Sequence, residues 1–250
     1  MDDMLVADRR FVAALARRSP DAMTLLDDDL TWIDAQGARF GKSDPLPASP
    51  LAAEDGIIPR VAHYAQIATV MADRDKVFVL RVWVKRASGW RLIVWHEVSQ
   101  QDPPAGHGPS RADWDNPCRT LPYTPKSDDE RDCLASWQEL ETAVMQHEPD
   151  AWARHVADEF IVVGAARRHS KADRYAVIAG QRRNNTASAP APLLEARLDG
   201  FGDTMLMRCE HQPFHGKAAY VSRLFVKRDG IWLMAASFQT TRQDAPVKTI

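Results

Sequence analysis

A histidine, an arginine and a tyrosine set among tryptophans are the parts of an acid–base site for a small carbonyl or carboxylate compound. Such a group occurs at Tyr64, Gln66, Arg81, Trp83, Trp95 and His96, with Trp32 further upstream. An imidazole such as that of His96 exchanges a proton near neutral pH, and Arg81 or Tyr64 can stabilise negative charge developing on an enol or carboxylate. Strand alternation predicts that they converge. With a turn at Ser88-Gly89, Val79, Arg81, Trp83 and Lys85 share a face with Trp90, Leu92, Val94 and His96, so Arg81 and His96 become neighbours. A turn at Arg74-Asp75 adds Tyr64 and Gln66 to that face. His96, Arg81 and Tyr64 are therefore the catalytic candidates, and Trp32, Gln66, Trp83 and Trp95, or neighbours on the opposite face, are candidate pocket walls. The same composition also suits a hydrogen-bonded sheet interface without any chemistry.

A second group lies at Arg208, Glu210 and Arg223, which a turn at His215-Gly216 places on one face. It reads as a neutralising ion network or as a site for an anionic ligand. Cys209, His211 and His215 lack a completing carboxylate motif, so no metal site is expected. Asp27, Asp28 and Asp29, between a helix and a strand, read as solvated loop charge. No glycine-rich phosphate loop, GxSxG elbow or HExxH motif is present.

The elements that must position these residues come from a duplication. Arg81–Gln100 returns as Arg223–Arg242, with Arg81, Val84, Lys85, Arg86 and Trp90 repeated as Arg223, Val226, Lys227, Arg228 and Trp232. His96 becomes Phe238 in the repeat. Both copies read as a hairpin of two apolar, β-branched and aromatic runs. Upstream, residues 5–18 form an amphipathic helix, Ser19-Pro20 opens a short second helix, Leu30–Ile33 and Ala38–Gly41 flank a turn, and Val61–Ala72 and Lys76–Lys85 are extended runs. Pro149-Asp-Ala-Trp152 repeats Pro20-Asp-Ala-Met23, and Ser170-Lys-Ala-Asp173 repeats Gly41-Lys-Ser-Asp44 while opening a helix to about Gln181. Residues 102–126 carry six prolines and read as an extended linker. The domains are thus 1–101, with a shortened middle that has a reduced third helix or lacks a strand, and 127–242, where Ser127-Asp-Asp-Glu130 caps the first helix. Residues 243–250 form a tail.

Helix, short helix at Pro-Asp-Ala, strand-turn-strand, third helix, then a long meander closing on Gly89-Trp-Arg-Leu-Ile-Val-Trp-His96 or Gly230-Ile-Trp-Leu-Met-Ala-Ala-Ser-Phe238: this order resembles the NTF2-like superfamily, and specifically its SnoaL-like and DUF4440-like members. The resemblance implies an α+β fold of two cones in tandem, each with N-terminal helices packed on a curved antiparallel sheet and a pocket at the open end. It also implies an intramolecular pseudo-dimer packed sheet to sheet. Activities in that superfamily run from isomerisation, dehydration and cyclisation to no catalysis, so fold leaves function open. Two functions are expected from different classes: a cofactor-independent isomerase, lyase or hydrolase acting on a small hydrophobic or carboxylate ligand, and a non-catalytic binding or assembly module.

The net charge of −2 and a pI near 6.4 give no electrostatic reason to expect nucleic acid or an anionic membrane as partner. Cys118, Cys133 and Cys209 are odd in number and widely spaced, which fits a reducing compartment. An acidic N-terminus and the lack of an apolar run of about 18 residues point to a cytoplasmic protein. Neither cofactor nor metal is expected; a small-molecule ligand and further homo-oligomerisation both remain open.

Overall fold

The computed structural model describes residues 3–49, 51, 59–101, 117–186, 191–213 and 216–245. The chain divides into two compact units, residues 1–101 and 102–250. Each is α+β, with helices preceding a six-stranded sheet. Among the described residues, no helix is long and apolar enough to cross a membrane.

In the first unit, α1 (Asp3–Ala16) buries Met4, Phe11, Val12 and Ala14 along one stripe, the burial that helical periodicity dictates. A 3-10 helix over Pro20–Leu25 follows, with Ser19 accepting from the Asp21 amide at 3.3 Å. The strands are β1 (Leu26–Ile33), β2 (Arg39–Phe40), β3 (Arg60–Tyr64), β4 (Ile67–Arg74), β5 (Val77–Arg86) and β6 (Gly89–Ser99). Their order is β2-β1-β6-β5-β4-β3. All neighbours run antiparallel except β1 and β6, which are parallel.

Three local expectations change. The extended run from Val61 to Ala72 breaks into a hairpin at Ala65-Gln66, where Ala65 has φ 51°. The extra strand this creates brings the first sheet to six, so no strand is missing; in the middle of this unit, residues 50 and 52–58 lie outside the described residues. The next turn is Asp75-Lys76, with φ of 50° and 65° at its centre, a pair of left-handed residues that matches the twist of a hairpin. Finally, β1 starts at Leu26 and takes in the three aspartates. Asp27 is buried there and accepts two hydrogen bonds from Arg86, at 2.8 and 3.1 Å. Burial opposes its ionisation, yet the bonds from Arg86 and the Asp29 amide hold its carboxyl below the usual range.

The second unit contains α2 (Asp128–Gln146), α3 (Pro149–Ala153), β7 (Val156–Gly164), β8 (Arg167–Ser170), α4 (Lys171–Asn184), β9 (Leu193–Gly200), β10 (Thr204–His211), β11 (Ala219–Arg228) and β12 (Ile231–Thr241). The sheet order β8-β7-β12-β11-β10-β9 repeats that of the first unit strand for strand. Ser127 caps α2 through the Glu130 amide at 3.2 Å, and Ser170 and Asp173 close a reciprocal capping box on α4. Residues 117–126, expected as linker, are partly built into this unit: Cys118 is buried in its core, with Leu121 and Tyr123 packed against that core.

Two bulges organise the faces. Along β5 and β6 the pairing steps from Trp83 opposite Leu92 to Val82 opposite Val94, leaving Ile93 extra. Along β11 and β12 it steps from Phe225 opposite Met234 to Leu224 opposite Ala236, leaving Ala235 extra. Beyond each bulge, every side chain of the closing strand changes face.

Candidate functional site

The bulge at Ile93 separates the residues expected to meet. Arg81 lies opposite Trp95, and Val79 opposite Glu97, on the face covered by α1. His96 lies opposite Leu80 on the other face. The face was assigned correctly from Trp90 to Leu92 and inverts one residue later, because an inserted residue shifts a period of two by half its length. Tyr64 pairs with Ile67, which sets it on the face away from Arg81, and Gln66 is exposed in the turn. His96 is fully buried, and burial pushes its pKa down to about 3, so it is a neutral imidazole at physiological pH.

The helix-covered side of the first sheet is filled. Trp32 and Trp95 stack with ring centroids 4.3 Å apart, and Phe11 of α1 packs against Trp32, Trp83 and Trp95. Among the described residues the Trp32 indole N–H has no hydrogen-bond partner, but other polar groups among these rings are paired. Arg81 pairs with Asp8 at 2.8 Å, and Trp83 Nε1 donates to the other Asp8 oxygen at 2.9 Å. The Arg81 guanidinium also lies 5.3 Å from the Trp95 ring centroid. Glu97 accepts from Trp95 Nε1 at 2.7 Å, from the Ala35 amide at 3.1 Å and from the Ser49 hydroxyl. Burial raises the pKa of Asp8 and of Glu97 against the lowering effect of these partners. Trp32, Trp83 and Trp95 are thus packed core in this unit, each with no more than a trace of exposure.

The second unit keeps the backbone and opens the space. Register aligns Trp95 with Ser237, Glu97 with Gln239 and Trp32 with Val162, since each member of either set holds the same place in its sheet. Replacing two stacked indoles by Ser and Val leaves a cavity of about 390 Å³ between the helices and the sheet. Its wall includes the apolar side chains of Leu140, Val144, Trp152, Phe160, Val162 and Met234. The wall also carries Glu141, Arg167, Arg174, Gln181, His211, Arg223, Ser237 and Gln239.

Six elements deliver these polar residues, α4 supplying both Arg174 and Gln181 and β12 both Ser237 and Gln239. Arg223 of β11 donates through Nη1 to His211 Nε2 at 2.8 Å and to Cys209 Sγ at 3.0 Å, and its Nη2 is 3.5 Å from Glu141 Oε1 on α2. The His211 Nδ1 meets the Ala191 carbonyl. Nδ1 therefore carries the proton and Nε2 receives the Arg223 bond, the one tautomer that satisfies both partners. Burial, then Arg223, push the His211 pKa down to about 3. Arg167 of β8 donates to the Gln239 side-chain oxygen on β12, whose amide donates to Ser237 Oγ at 3.2 Å. Burial and then the neighbouring Arg174 push the Arg167 pKa down to about 10, so Arg167 stays charged at neutral pH. Burial also lowers the pKa of Arg174, against the attraction of Glu141.

The Arg208, Glu210 and Arg223 group is split. Arg223 lies opposite Met207, whereas Arg208 and Glu210 lie opposite Ser222 and Tyr220 on the other face. The connection between β10 and β11 spans residues 212–218, an odd number, so the register slips by one relative to a two-residue turn; His215 itself lies outside the described residues. Arg208 pairs with Asp199, and Glu210 with Arg242 at 2.7 Å. Among the described residues, no group of His, Cys, Asp and Glu is arranged to hold a metal. Sequence reading missed Glu141, Arg167, Arg174, Ser237 and Gln239. A signal for two of these was present in the repeat, where Trp95 and Glu97 become Ser237 and Gln239.

No family model matches this sequence, and no curated protein matches it. Among solved structures, the chain is similar to a protein of unknown function with a cystatin-like fold from Nostoc punctiforme, at 12% identity and a TM-score of 0.40, over 50% of this chain and 98% of that one. An NTF2-like protein from Cytophaga hutchinsonii matches at 14% identity and a TM-score of 0.40, over 47% of this chain and 99% of that one. An NTF2-like protein with a cystatin-like fold from Novosphingobium aromaticivorans matches at 16% identity and a TM-score of 0.38, over 46% and 82%.

Proposed function

We propose that the second unit binds a small organic anion, a carboxylate with an apolar body, and that the first unit is a filled copy serving as scaffold. The observation that carries this reading is the cavity wall, which combines apolar side chains with three arginines and one carboxylate. Apolar walls with a few converging polar groups are the usual make-up of a ligand pocket. Arginine presents a planar fork of donors that fits a carboxylate, and in a partly dry cavity such a pair is stronger than at a surface.

Binding is favoured over acid–base turnover by the state of His211. Its Nε2 lone pair is taken by Arg223 and its pKa is about 3, so at neutral pH it neither holds an extra proton nor has a free site to accept one. His96 stands on the face of the first sheet turned away from α1, and the cavity of that unit, about 570 Å³ between the end of α1, the 3-10 helix and residues 46–49, does not include it.

Thermal shift with an aryl carboxylate tests the reading. At a hundred times its dissociation constant, the ligand should stabilise the protein by about 2.7 kcal/mol. Arg167→Gln should remove most of that shift, and His96→Gln should leave it in place. A shift lost in His96→Gln and kept in Arg167→Gln would return the site to the first unit and sink the proposal.

A further inference from the structure

Resting on that reading, the charge balance of the cavity narrows the ligand class. Five titratable residues line it: Glu141 from α2, Arg167 from β8, Arg174 from α4, His211 from β10 and Arg223 from β11. With His211 neutral, three guanidinium charges face one carboxylate, a surplus of two positive charges in one half-open cavity. The equivalent arginine of the first unit has no such surplus, since Arg81 is matched one to one by Asp8.

The surplus is not dissipated within the cavity wall. Arg223 gives its Nη1 to a neutral imidazole and a thiol, and Glu141 stands at 3.5 Å from its Nη2, too long for a tight pair. Arg167 donates to a neutral amide. Asp173, the acid nearest to Arg174 in sequence, is occupied by the Ser170 hydroxyl and amide at the helix cap. Like charges held close in a low-dielectric site raise each other's energy, and a bound counter-charge relieves it. A monoanion would relieve half.

We infer that the preferred ligand is a dianion with an apolar body, its charge matched to Arg167, Arg174 and Arg223 after subtraction of Glu141. Two kinds of molecule share this chemistry, an aryl dicarboxylate and an aryl phosphate monoester. The first would spread its charge between Arg223 and the Arg167/Arg174 side, and the second would concentrate it on one phosphate.

Titration calorimetry of the full chain with benzoate, isophthalate and phenyl phosphate, repeated on Arg174→Gln, tests the inference. At least one dianion should bind about tenfold or more tightly than benzoate, and the preference should shrink to within about threefold in Arg174→Gln, with benzoate still bound. Which dianion wins identifies the arrangement of charge. Equal affinity for benzoate and both dianions would overturn the inference while leaving the anion pocket in place, as would a dianion preference unchanged in Arg174→Gln. Failure of all three compounds to bind would overturn both.

Discussion

The two units carry the same arginine on the same strand and use it in opposite ways. Arg81 is locked by Asp8, overlain by Trp95 and walled in by Trp32, Trp83 and Phe11. Arg223 faces a cavity, with Trp137 of α2 under it at 5.9 Å and Glu141 one helical turn further along. Helix geometry explains the exchange. Arg18 and His147 are both left-handed residues following α1 and α2, and counting back from them puts Trp137 where the first unit has Asp8. The neutralising acid is therefore lost at the matching position, and a carboxylate is supplied one turn later at a looser distance. One backbone thus yields a closed polar core or an open charged pocket, depending on a few side chains.

The largest break in this comparison should come from Asp8→Ala. It leaves Arg81 buried without its carboxylate, a change that costs about 3–5 kcal/mol when one partner of a buried pair is removed. Urea unfolding would read it, and a loss below about 1 kcal/mol would mean that Arg81 reaches water or another acid. Next in size is closing the second cavity by copying the first, Ser237→Trp with Gln239→Glu. Because the added volume enters an existing cavity, the cost should not exceed the roughly 1–3 kcal/mol of overpacking a filled core. The variant should fold, show a smaller cavity and lose the aryl carboxylate shift, whereas unchanged binding would place the ligand elsewhere.

The smallest effect concerns pH. His96 and His211 have folded pKa values near 3 against about 6.5 unfolded. Between those values the unfolded chain binds more protons, so their contribution to stability is complete above pH 6.5 and declines as pH falls toward 3. Asp8 and Glu97, with raised values, act in the opposite sense over their own window, since the folded form keeps their protons longer. His96→Phe, the residue found at Phe238, should flatten the acid-side slope by up to about 1.4 kcal/mol per pH unit. Denaturant midpoints at pH 5 and 6.5 would show it. An unchanged slope would mean that His96 is protonated in the folded state.

Much of the fold could be read from particular residues. Ser127 and Ser170 cap the helices they were expected to open, and the repeat of Arg81–Gln100 at Arg223–Arg242 gave two matching hairpins. These are local features, set by propensity, capping and hydrophobic period within a few residues. The site was less legible. Arg81 and His96 were placed together by alternation, and Ile93 parted them. Arg223 was grouped with Arg208 and Glu210, and a seven-residue connection put it on the opposite face with His211. The Trp95-to-Ser237 change was visible, but its meaning depended on Trp32 and Val162 lying beside those positions across a parallel strand pair.

By itself, then, the sequence determined the duplication, the α+β class, the order of elements and most of their ends, because each follows from interactions between near neighbours in the chain. Only the tertiary structure decided which face each side chain takes and in which copy the space between helices and sheet beside the shared arginine is open. A single bulged residue inverts a strand without altering its composition, and a cavity is a property of volumes contributed by β7, β12, α2 and α4 together, a sum that no local pattern contains.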